Sequence, residues 1–97
     1  MVAHVNTKSA SISVSTSSAR TAYPAGNRNG VTVYNAGAVP VFVKSGSSSV
    51  VATTTDQFVP AGYFRTFEKN PTDTHLAAIA ASDTSTVYFN EEGAPWN

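Results

Sequence analysis

The stretch "VTVYNAGAVPVFVKSG", residues 31–46, decides the fold class. Successive side chains of a strand point to opposite faces, so Val31 and Val33 share one face while Thr32 and Tyr34 share the other. After a break the alternation resumes, with Val39, Val41 and Val43 on one face and Phe42 and Lys44 on the other. Asn35, Ala36, Gly37 and Ala38 supply turn formers at the spacing of a hairpin. Pro40 has no N–H for a ladder and belongs at a strand start or on an edge. The stretch therefore predicts an antiparallel hairpin with one edge-like strand.

The same pattern extends outward. "SASISVST" (residues 9–16) alternates hydroxyl and apolar residues and predicts a half-buried strand on Ala10, Ile12 and Val14. Residues 17–30 read as a connector. Pro24-Ala25-Gly26 and Pro60-Ala61-Gly62 both fit a type I turn with proline second and glycine fourth. "SGSSS" (45–49) is a loop, "VVATT" (50–54) and "YFRTFEK" (63–69) read as strands, and "NPTDT" (70–74) as a turn. "HLAAIAAS" (75–82) has some helical spacing, but it is short and bounded by turns. It reads as a strand pairing, through residues 82–85, with "TVYFN" (86–90). Several short strands with polar turns predict an all-β fold, a small antiparallel β-sandwich or jelly-roll-like barrel. Residues 1–18 read as an N-terminal arm or strand, 19–93 as the core and 94–97 as a tail.

At 97 residues the chain makes one domain with a thin core. Without cysteine, and with His4 and His75 as the only imidazoles, disulfides and a structural metal are not expected. Self-association or docking onto a larger body is the support that remains. Charged residues make up 12% of the chain, about half the usual ~25%. Serine and threonine fill the gap at about a quarter of all residues. Such a surface suits wet, hydrogen-bonded contacts in an assembly or an exposed β domain. The six cations are scattered, so nucleic acid is not an expected partner. No apolar run is long enough for a membrane span, and the N-terminus lacks the pattern of a signal peptide; synthesis in the cytosol is expected.

Candidate chemistry is sparse. Asp73 and His75 with one of many serines could be imagined as a triad, but no nucleophile elbow surrounds them. Asp73 reads instead as a turn residue and His75 as a strand start. Glu91 and Glu92, being adjacent on a strand, point to opposite faces and cannot share a substrate; they read as solvating a chain end. "SGSSS" lacks the lysine and following helix of a phosphate loop. No catalytic residue, metal site or cofactor is expected.

Partner contacts are expected elsewhere. Arg28, between two asparagines, reads as a turn residue or an exposed contact. Trp96 either folds back on the core or anchors in another chain. Ile12 and Val14 lie on a strand suited to joining a neighbour's sheet edge. Aromatics with hydroxyls could form a sugar platform, although their place in strand patterns favours the core.

Taken together, "VTVYNAGAVPVFVKSG", "FVPAGYFRTFE" and "THLAAIAASDTSTVYFNEEG" resemble small virion structural proteins of tailed bacteriophages, of the kind that decorate or cement the head. The resemblance covers residues 31–93. It implies a non-enzymatic β-sandwich on the capsid surface that binds major capsid protein, often as a symmetric oligomer such as a trimer. Residues 1–18 and 91–97 would be its clamp arms. A head–tail adaptor, a head-fibre base, or a carbohydrate- or receptor-binding module are the alternative functions.

Overall fold

The computed structural model describes residues 10–24 and 29–92. Among these residues eight strands follow one another: β1 (Ala10–Val14), β2 (Ala19–Ala22), β3 (Gly30–Asn35), β4 (Val41–Gly46), β5 (Gln57–Val59), β6 (Phe64–Glu68), β7 (His75–Ala80) and β8 (Ser85–Glu92). They form two four-stranded antiparallel sheets, ordered β1-β8-β3-β6 and β2-β7-β4-β5. Every connection crosses between sheets except β4 to β5. That alternation over eight strands is the jelly-roll form of the sandwich.

The all-β expectation holds, and so do the strands read at residues 9–16, 63–69, 75–82 and 86–90. The expected pairings do not. β3 and β4 are not a hairpin, and neither are β7 and β8; each pair is split between the two sheets. The reason is visible in the core. Val31 and Val33 of β3 and Val41 and Val43 of β4 are all fully buried. A hairpin would set these valines side by side on one face. Divided between sheets, they form facing walls, joined by Ile12, Val14, Val59, Leu76, Val87 and Phe89.

The corner between β3 and β4 is held by Asn35, whose side chain is buried. Its amide donates to the carbonyls of Val39 (2.8 Å) and Val59 (3.1 Å). Its Oδ1 accepts from the Gly37 amide (3.1 Å) and from Ser85 Oγ (2.6 Å). Residues read as hairpin formers thus build an arch from one sheet to the other. Pro40 stands just before β4, at a strand start as expected, but β4 is central rather than an edge.

Four local differences complete the comparison, the first being β5, a short strand at Gln57–Val59 where none is expected. A strand, β2, lies within the segment read as a connector. Residues 50–54 are not a strand. Val50 and Ala52 instead pack on Ala77 and Ile79, capping the outer face of β7, and the Ala52 amide bonds Ser18 Oγ at 2.9 Å. Covered on both faces, β7 has the near-continuous apolar pattern that blurred helix and strand in the sequence. Finally, the turn at Pro60 closes from the Tyr63 amide to the Pro60 carbonyl (3.2 Å) with Gly62 third at φ 76°. A positive φ at that position is the mark of type II, not type I.

Candidate functional site

Strand alternation places Ile12 and Val14 inside the sandwich, where they are 3% and 1% exposed. Their side chains are committed to this chain's own core and are not free to contact a partner. What β1 offers outward is its backbone edge, since among the described residues it pairs with β8 alone. Strand β1 is also integral to the sandwich, so residues 10–14 of the segment read as an arm or strand form part of a wall of the core. Arg28 and Trp96 lie outside the described residues.

Asp73 and His75 act locally. Asp73 Oδ2 accepts from the Asn70 amide (3.2 Å), closing the expected turn, while His75 Nδ1 bonds the hydroxyl of adjoining Thr74 at 2.8 Å. They do not converge on a serine. Among the described residues no group of three His, Cys, Asp or Glu is placed to hold a metal ion.

Glu91 corrects the expectation of a solvated chain end. It follows Val87 and Phe89 on the inward face of β8 and is fully buried. Lys69, just beyond β6, meets it with Nζ 3.2 Å from Glu91 Oε2, both side chains sealed from solvent. The ammonium also donates to the carbonyls of Asp73 (3.0 Å) and Asn70 (3.3 Å) and lies 4.4 Å from the centre of the Tyr23 ring. Tyr23 packs edge-on against Phe89, with centroids 5.7 Å apart, and donates to Ser45 Oγ at 2.7 Å. Burial pushes the Tyr23 phenol up to about 12, with the Ser45 bond acting the other way. A buried charge needs a partner and hydrogen bonds, and here it has both. The cluster forms an internal tie from the end of β6 to β8.

Beside this tie the sandwich is open. Between β5 and β6, both edge strands, runs a groove of about 900 Å³ lined in part by Lys44, Phe58, Phe67 and Glu68. Strand β6 is exposed on both faces along residues 64–66. Asn35 N donates to Tyr63 O and Lys69 N to Asn29 O. Alternation along the ladder then turns the N–H groups of Phe64, Thr66 and Glu68 away from β3, to the open side.

The outer face of the β1-β8-β3-β6 sheet carries aromatics that strand patterning alone places in the core. Tyr88, Tyr34 and Phe64 stand opposite one another in one row across three adjacent strands. They are 48%, 43% and 67% exposed. The neighbouring Tyr63 is exposed as well. The signal was present: Tyr34 shares a face with Thr32, and Tyr88 alternates with Val87 and Phe89.

No family model matches the chain, and no curated protein matches it in sequence. A solved structure of Bacillus endospore appendages, described as a novel family of disulfide-linked pili, is similar in fold. The TM-score is 0.52 at 16% identity, covering 97% of this chain and 92% of that one. At that identity the likeness speaks to fold alone. These 97 residues contain no cysteine, so the disulfide linkage of those pili has no counterpart in this sequence.

Proposed function

We propose that the protein is a non-enzymatic structural subunit built into a multi-copy particle. The particle implied by the resemblance is a phage head, with the chain bound to the lattice of major capsid protein at the virion surface and stabilising it. Binding only the assembled lattice stabilises that state by mass action. The observation that carries this reading is β6: an edge strand, exposed on both faces along residues 64–66, with outward N–H groups and the exposed Phe64 at its start. Proteins usually blunt such edges, and β6 carries Arg65 and Glu68 but no proline, so its outward N–H groups can still template a strand from a neighbour.

A second reading, a filament made of copies of this chain, is favoured by the fold likeness to the Bacillus pilus structure. Both readings use the same edge.

Sedimentation velocity of the full chain tests the edge. The wild-type chain is expected to form an oligomer. Thr66→Pro removes an outward N–H without touching the ladder to β3, and should yield monomer. Thr66→Val keeps the N–H and should still assemble. Melting of each variant checks that it folds. A wild-type chain that stays monomeric at all concentrations, or a Thr66→Pro variant that assembles like wild type, contradicts the proposal.

A further inference from the structure

The row Tyr88–Tyr34–Phe64 is flanked by hydroxyls and an amide. Ser11 extends the row on β1, opposite Tyr88. On one side stand Ser13 and Thr86; on the other stand Asn90, Thr32 and Thr66, with the two threonine hydroxyls 2.8 Å apart. Among the described residues no charged one stands in these three rows; Glu68 on β6 and Glu92 on β8 stand in the next, each opposite Gly30. The three ring-bearing strands span roughly 10 Å, at 4.7–4.9 Å per strand. The opposite sheet differs, because Val50 and Ala52 cover part of its outer face.

We infer that this face binds a neutral polysaccharide, its rings stacking on sugar rings and its hydroxyls and amide bonding sugar hydroxyls. Aromatic faces carry negative potential and attract the weakly positive C–H faces of a pyranose. Serine, threonine and asparagine both donate and accept, matching the dual character of sugar hydroxyls. Charge narrows the ligand class. Nucleic acid or an acidic glycan would require cations that these rows lack. Aromatic residues suit sugar and protein interfaces alike, but the serines around them are depleted in protein interfaces, and no valine, leucine or isoleucine stands in these rows among the described residues. Single contacts of this kind are weak, and display in many copies would raise them by avidity. The inference does not depend on the assembly proposed above.

The full chain should be tested for retention on crystalline chitin, cellulose and mannan, with sedimentation run in parallel. Retention on at least one is expected, with Tyr34→Ala and, independently, Tyr88→Ser weakening it at least tenfold. Phe58→Ala, on the other sheet, should bind like wild type. Both platform residues are exposed, so melting should change little and a folding failure would be seen there. Retention on none of the three overturns the inference. So does binding that both platform variants preserve, or a Tyr34→Ala change that only dissociates an oligomer.

Discussion

Lys69 Nζ and Glu91 Oε2 lie 3.2 Å apart with both side chains buried, joining the end of edge strand β6 to β8 across the intervening β3. This pair fixes the strand on which assembly is proposed to depend. Removing one partner of a buried pair typically costs about 3–5 kcal/mol, because the other charge stays behind. Lys69→Met should therefore lower stability to denaturant by about that much. In a double-mutant cycle with Glu91→Leu, the two losses should fall short of additivity by 1 kcal/mol or more on the order expected for contacting residues. Additive losses would mean that the two side chains do not act as a pair.

The arch at Asn35 makes a second prediction. Asn35→Ala deletes four hydrogen bonds at a buried corner. At about 1 kcal/mol net per bond, the loss should be roughly 3–4 kcal/mol. Asn35→Asp should not rescue it, since a carboxylate cannot donate to the Val39 and Val59 carbonyls. Urea unfolding of the two variants checks this; near-wild-type midpoints would mean the arch does not need the side chain.

Gly37 sits in the same arch. A Cβ there would fall on Ser85 Oγ, with the Ser85 Cα only 2.9 Å away. Gly37→Ala should be destabilising by about 1–3 kcal/mol, as overpacking usually is. Gly62→Ala meets no neighbour, yet it should also destabilise, because Gly62 holds a φ of 76°. Thermal melts of both separate a steric cost from a backbone one.

Tyr23 links stability to alkaline pH. Its phenol titrates near 10 when unfolded and is pushed up to about 12 in the fold. Its contribution is fully present below pH 10 and is lost as pH rises through about 12, because the unfolded chain releases its proton first. Tyr23→Phe loses the bond to Ser45, about 1 kcal/mol at neutral pH. The wild-type advantage over Tyr23→Phe should then shrink between pH 10 and 12. An advantage that is constant or grows in that window contradicts the assigned environment.

Most strands were legible because their alternation is a property of single segments. Which strands pair was not, because alternation tells which face is buried but not which sheet owns it. Val33 and Val43 look alike whether side by side or face to face. What separates those cases is Asn35, whose buried side chain serves an arch while its residue type suits a hairpin turn. The burial of Glu91 is hidden from the sequence for a related reason: its partner Lys69 is 22 positions away, at the end of a different strand. The aromatic row was hidden by the assumption that aromatics in strands pack inward. Tyr34 and Phe64 stand opposite each other only once the register is known.

The most direct test of the structural role is immunogold electron microscopy of particles and filaments released by the organism that carries this sequence. An antibody against the full chain should label a regular particle at many positions each: the surface of phage heads on the capsid reading, or the length of a filament on the second. Label confined to soluble material, with heads and filaments bare, would contradict the claim that this chain is a built-in structural subunit.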